Sequence, residues 1–350
     1  MAILYILPLL IGAGGLICLK GKRRWLYCIT ASLLILSFSL LFHGSSVSTL
    51  EKDFAEAASA DIEELGGLSA PLGISFIGKL FSPLGIGNNI LIIALFTVSA
   101  AAIGLYLYRY CGNPAIGATA LVSSGFIFVV TEDVPLFIAA LLICGAVRYV
   151  YEKRFFRFSA FVLLAACFNP SVILLIPMFL LFYGNNLIIK WCTGIALSLF
   201  LTACPFKEEL FGFLYGNRPV EETRLPVYAA AFIIIFALLS CIMRKMIKLR
   251  SETAYEAVGF MIFASLMSVP AVFCGGFLPL FICMCIPPFV TLTSEMLPII
   301  GTILEKTFPE RRKTAFITGV TISAVAALGL YTAALFSGVF TPPVLNLSLF

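Results

Sequence analysis

Charge is what this sequence has least of. Among its 350 residues 12% are charged and 61% hydrophobic, and the mean hydropathy is +1.07. An ordinary soluble domain is about 25% charged, so a water-soluble globular enzyme is excluded. The strict alternation of apolar and polar residues that marks a membrane β-barrel is also missing. Histidine is reduced to a single residue, His43, which argues against a zinc or haem centre and against histidine-dependent acyl transfer. The first apolar run has no basic segment before it and is followed by "KGKRR". That is the reverse of a signal peptide, and the run is read as a retained first span with its N-terminus outside. The net charge of +5 carries no nucleic-acid signal, because the basic residues sort to one side of a membrane, as shown next.

What is present is a succession of long apolar runs. They fall near 2–19, 25–43, 89–108, 115–131, 134–151, 158–183, 187–204, 227–243, 257–273, 276–303 and 314–337. Runs of roughly 18 or more nearly uncharged residues define a polytopic helical membrane protein. Residues 1–350 are read as one all-α transmembrane domain. The eleven cysteines lie almost wholly within these runs, as small polarizable packing residues do. Cys283 and Cys285 are two apart, so on a helix they face different ways.

The run 158–183 holds "AACFNPSVILLIP", with an Asn169-Pro170 pair at its centre. Proline lacks a backbone N–H and disfavours helix in the residue before it, which makes Asn169 a natural breakpoint. Basic residues decide between one crossing and two short arms, since they collect on the cytoplasmic side. With two arms, 18 of the 23 Lys and Arg fall inside; with a single crossing the split is 12 to 11. Two arms are therefore expected. Each is about 12 to 14 residues, or roughly 20 Å long, short of a hydrocarbon core of about 30 Å. The turn should lie below the outer surface, in protein or in a wet cavity, with Asn169 satisfying freed backbone groups. The sequence thus predicts about twelve membrane segments, short broken helices included, and both termini outside.

Three loops then face the exterior. The largest, 44–88, carries Glu51, Asp53, Glu56, Asp61, Glu63 and Glu64. Residues 49–65 are predicted to form a helix capped by Thr49 and ended by Gly66-Gly67. Its apolar stripe of Leu50, Phe54, Ala57, Ala58, Ile62 and Leu65 suits a helix lying along the membrane interface. The stretch 70–87 reads as re-entrant or interfacial. The second loop, 207–226, mixes charges with aromatics. The third, "TEDVP" at 131–135, sets Glu132 and Asp133 at a helix start, where the helix dipole favours acids. None of the three loops contains an Asp-x-Asp motif, so no divalent cation or other cofactor is expected.

In this order the features resemble the EpsG/Wzy-like family of bacterial membrane proteins, which polymerise lipid-linked exopolysaccharide or O-antigen repeat units. The stretches that carry the resemblance are "EKDFAEA" (51–57), "TEDVPLFIAALL" (131–142), "RYVYEKRFFRFSAFVLLAACFNPS" (148–171) and "PAVFCGGFLPLFICMCIPPF" (270–289). Asp53-Phe54 fits the family's acid-aromatic position. Glu132-Asp133 stands where the family commonly has Arg-Gln, Asn169 where it has histidine, and Cys274-Gly275-Gly276 where an arginine is often found.

The resemblance implies a GT-C-like fold in a bacterial inner membrane. It also implies glycosyl transfer on the outer face, with polyprenyl-linked glycan as substrate and polysaccharide-assembly proteins as partners. Such chemistry needs a base for the acceptor hydroxyl and cations for the departing diphosphate. Asp53 is the first choice of base and Glu132 or Asp133 the second. Lys207, Arg218 and Arg224 share one loop and are the expected diphosphate ligands, with the two arginines leading because they bind phosphate bidentately. His43 and Asn169 complete the substrate-binding set. Two other readings stay open: a single-sugar transferase using a polyprenyl monophosphate donor, and a non-catalytic transport or assembly subunit. Transporters usually carry ionisable groups within their spans; Arg148 and Glu295 come nearest to that here.

Overall fold

The computed structural model describes residues 24–41, 46–68, 70–123, 133–182, 186–215, 224–246 and 252–307, and no strand occurs among them. The protein is an all-helical membrane protein. Its apolar runs become helices because only internally bonded backbone is tolerated in lipid. Four helices are long and apolar enough to cross a membrane: Asn88–Tyr110, Val227–Arg244, Glu256–Phe273 and Gly275–Met296. The bent pair Leu187–Ala203 and Lys207–Tyr215 makes a fifth if counted as one span. The expected runs 2–19 and 314–337 lie outside the described residues. Several of the others, such as Arg24–Ser37 and Val134–Val150, form shorter apolar helices.

Helix α1 (Arg24–Leu41) is followed by α2 (Ser46–Ser59), α3 (Leu72–Phe81) and α4 (Asn88–Tyr110). Among these first helices, α1 and α4 pack antiparallel, and α2 packs on α3. Arg24 at the start of α1 donates to the carbonyls of Tyr108 and Cys111, neutralising the C-terminal end of α4 as a cation should. Midway, Gly104 brings α4 against Ser32 of α1.

The acid-rich loop differs from expectation. Helix α2 begins at Ser46 rather than Thr49 and stops at Ser59, and a separate 3₁₀ turn runs from Ile62 to Gly67. Its stop comes from a distant residue: Lys79 of α3 donates to the carbonyls of Ala58 and Ala60, at 3.3 and 2.6 Å. The predicted interfacial stripe is also internal. Leu50, Phe54 and Ala57 are buried, because Gly78 of α3 lets that helix close on Phe54 and Ala57. Ile62 departs from the stripe and is exposed. It is α3 that carries an unburied apolar face, Leu72, Phe76 and Leu80 at four-residue spacing.

Helix α5 (Pro114–Ser123) leads toward α6 (Val134–Tyr151), which packs on α7 (Phe155–Ala166). The disputed run is two arms. After α7 comes the break at Asn169, a 3₁₀ turn from Pro170 to Leu174, and then α8 (Leu175–Phe182). The Phe179 ring lies 5.3 Å from Phe155 and 5.1 Å from Phe158. The second arm therefore returns to the end from which the first set out.

The rest of the bundle comprises α9 (Leu187–Ala203), α10 (Lys207–Tyr215), α11 (Val227–Met246), α12 (Glu252–Phe273) and α13 (Leu278–Thr307). Gly259 and Gly194 admit Lys190 and Leu266 between helices, so α9 and α12 run in the same direction. Helix α13 is the central element, with 94% of its apolar window buried inside the protein, against 22% for α11. Tyr106 of α4 fastens it by donating to the Pro287 carbonyl at 2.7 Å and sharing a hydrogen bond with Thr291 at 2.8 Å. Large apolar side chains left outside, such as Val98, Leu105, Leu199, Phe200 and Ile235, present the outward surface expected of helices in lipid.

Charge divides the bundle into two ends. Arg24, Arg109, Arg148, Arg154, Arg157, Lys190 and Arg244 lie at one end, and Lys52, Lys79, Lys207 and Arg224 at the other with most of the acids. At the basic end Glu152 forms ion pairs with Arg148 and Arg154. The Arg148 hydrogen bond holds its carboxyl below the usual carboxylate range.

Candidate functional site

The acid-rich end is assembled around the Asn169–Pro170 break. Breaking a helix frees backbone groups, which must find partners when buried. Asn169 is itself buried. Its side-chain oxygen accepts from the Ser171 amide at 3.3 Å and the Ser171 hydroxyl at 2.7 Å. On the other side of the break, the carbonyl of Cys167 accepts from the amide of Gly73 at 2.8 Å. Gly73 has no side chain to hold the helices apart: a Cβ there would lie 2.9 Å from the Phe168 ring. The hairpin of α2 and α3 is thereby docked on the break, and Asp53, on the buried face of α2 with Phe54 and Ala57, comes with it.

Two further pieces close on the same region. Helix α10 turns away from α9 by 91° and meets the turn after Pro170. Its Phe211 ring packs edge-on against Phe277 at 5.0 Å. Gly276 makes that possible, since a Cβ at that position would lie 2.6 Å from the ring of Phe211. The segment 224–226 is tied to α12 by the Leu225 amide, which donates to the Ala271 carbonyl at 3.0 Å. Arg224 next to it is exposed.

The sequence-predicted residues thus divide. Asp53 lies on α2, which packs on α3, and α3 in turn meets the Asn169 break through Gly73. Lys207 lies on α10, which meets the turn after Pro170, and donates to the Thr202 carbonyl at 3.4 Å as a cap on the end of α9. Arg224 projects from the anchored 224–226 segment. Asp133 is the N-cap of α6, accepting from the Leu136 amide at 2.9 Å, the helix-start role its position suggested. His43, Glu132 and Arg218 lie outside the described residues.

Sequence reasoning missed four participants: Lys79, Gly73, Phe211 and Gly276. Only the glycine pair at 275–276 left a signal, as a departure within a recognised segment. The others act through contacts far apart in the chain. Among the described residues no three His, Cys, Asp or Glu side chains gather to hold a metal ion, and no disulfide joins their ten cysteines.

No family model, curated protein or solved structure matches this chain.

Proposed function

We propose that this chain is a membrane glycosyltransferase that joins polyprenyl-diphosphate-linked oligosaccharide units on the outer face of a bacterial inner membrane, with its acid-rich end outward. The observation that carries the reading is the docking of the Asp53 hairpin on the Asn169–Pro170 break. It supports the reading because the broken arms are short and a recess below the membrane surface is where a lipid-linked sugar would meet the protein. A buried acid on the hairpin docked at that break suits a general base. In the step proposed, Asp53 takes the proton of an acceptor sugar hydroxyl. The hydroxyl oxygen bonds to the anomeric carbon of the donor glycan, and the bond from that carbon to the polyprenyl diphosphate breaks. The diphosphate leaves with the electron pair, its charge met by Arg224, Lys207 and Arg218.

Asp53→Asn tests this, since it removes the base at nearly constant volume. Polymer formation from lipid-linked units should be lost while the protein remains in the membrane at its normal level. Polymer of full length from that variant would remove Asp53 from the chemistry. Supplying single-sugar polyprenyl monophosphate and whole repeat units as alternative donors separates polymerase from single-sugar transferase.

A second reading, a non-catalytic assembly subunit, is favoured by one observation. Asp133, Asn169 and Lys207 each spend a side-chain hydrogen bond on a neighbouring helix end. Full assembly of the polymer by protein carrying Asp53→Asn together with Arg224→Gln would select it.

A further inference from the structure

The basic end holds a second arrangement that the glycosyl-transfer reading does not use. Lys190 occupies the first turn of α9 and is 2% exposed. Its ammonium group has no hydrogen-bond or ion-pair partner among the described residues. Gly259 of α12 makes room for it, since a Cβ there would fall on the Lys190 Nζ. The charges acting on Lys190 are Glu256, attractive, and Arg244 and Lys153, repulsive. Arg244 comes from the last turns of α11 and is 9% exposed. Among the described residues, the charges acting on Lys190 are thus two cations and one acid.

The placement is costly in two ways. Burying an ammonium group without a partner is unfavourable. A cation in the first turn of a helix opposes the macrodipole, whose N-terminal end is positive. A separate strain sits in the backbone of Lys153, in the turn between α6 and α7, which has φ +57°, a left-handed conformation that glycine adopts more readily. A single anion bound between the helices would offset the two costs together. It would meet Lys190 and Arg244 and lie at the N-terminus of α9, where anions are bound readily.

We propose that the junction of the start of α9 with α12, where Lys190 lies against Gly259, and with the end of α11 is a binding site for a phosphate group, carried either by an anionic lipid headgroup of the adjacent leaflet or by free phosphate. Lys190 and Arg244 are the ligands, and Lys153 supplies longer-range attraction. The site is independent of the chemistry proposed at the opposite end.

Full-length protein purified in a neutral detergent provides the test, read by its thermal unfolding midpoint. One arm adds phosphatidylglycerol, a second adds phosphatidylcholine and a third adds inorganic phosphate. Phosphatidylglycerol should raise the midpoint and phosphatidylcholine should not. An equal rise with inorganic phosphate would identify the free anion as the source, and its absence the lipid. Lys190→Gln should weaken the apparent affinity by about tenfold or more, as loss of a charge-assisted contact does. If that variant does not fold, Lys153→Gly decides the matter, because glycine accepts the left-handed turn without strain. It should keep the fold and weaken anion binding. No rise with either anion, or a rise of undiminished affinity in Lys190→Gln, or in Lys153→Gly where that variant decides, would overturn the assignment.

Discussion

Consider the replacement of Gly276 by alanine. The new methyl carbon would stand 2.6, 2.7 and 2.9 Å from three carbons of the Phe211 ring, whereas carbons rest at about 3.5–4.0 Å. The ring must withdraw by about 1 Å, and it is not at liberty to do so. Phe277 holds it edge-on at 5.0 Å and Tyr215 lies 6.2 Å away. Overpacking of this kind costs about 1–3 kcal/mol. The same methyl added one residue beyond Phe211 has the opposite effect. Gly212 lies within α10 and a Cβ there meets nothing within 4 Å, so Gly212→Ala should stabilise by about 0.5–1 kcal/mol through helix propensity. The assay is unfolding of the full chain in mixed micelles, titrated with dodecyl sulfate and followed by circular dichroism. Phe211→Leu in the Gly276→Ala background should recover part of the loss, the two sites being coupled. If Gly276→Ala is neutral, or if both alanines shift stability the same way, α10 is not seated on the Gly275–Phe277 turn.

Further outcomes are expected elsewhere in the bundle. Tyr106→Phe should lower stability by about 0.5–1.5 kcal/mol in the same assay, the worth of a buried hydroxyl contact; no change would mean that water replaces it. Arg224→Gln should lower turnover of lipid-linked substrate strongly and Arg224→Lys only in part, because lysine lacks the planar fork. Arg218 should respond in the same way, and simultaneous loss of both arginines without effect would move the diphosphate site elsewhere. In a background lacking the exposed Cys192, an impermeant thiol reagent applied outside cells should label Ala60→Cys and Val220→Cys but not Ile247→Cys or Arg311→Cys. Labelling at 247 would reverse the orientation.

How much of this was legible in the sequence depended on whether the cause was local. The break at Asn169 was legible, because proline's missing N–H and the distribution of lysine and arginine act through neighbouring residues and simple counting. The start of α6 at Asp133 was legible for the same reason. The end of α2 was not. Gly66-Gly67 looked like the stop, but the helix ends seven residues earlier at a site with neither glycine nor proline, where Lys79 donates to the final carbonyls. Nor did the stripe of Leu50, Phe54 and Ala57 reveal whether lipid or protein would cover it. Amphipathic periodicity reports that a face is apolar and says nothing of its partner. The seating of Phe211 over Gly276 joins residues 65 apart, a pairing that no window of local pattern contains.

The broken arm pair also has a consequence for the order in which the chain is made. Helix α7 finds α6 already present when it leaves the ribosome, but the turn from Pro170 to Leu174 rests on α10 and α13 as well. Helix α13 begins at Leu278, about a hundred residues later, which at about 5–20 residues per second of elongation is roughly 5–20 s. For that interval the turn is inserted without its later support, and its polar backbone depends on Asn169 and Ser171 alone, on the α3 start that precedes them, and on whatever the insertion machinery provides. Nascent chains halted before Leu278 should therefore expose this turn to quality-control proteolysis, while chains released after α13 should be protected. The Asn169 cap would then matter more to the yield of assembled protein than to the stability of the finished bundle.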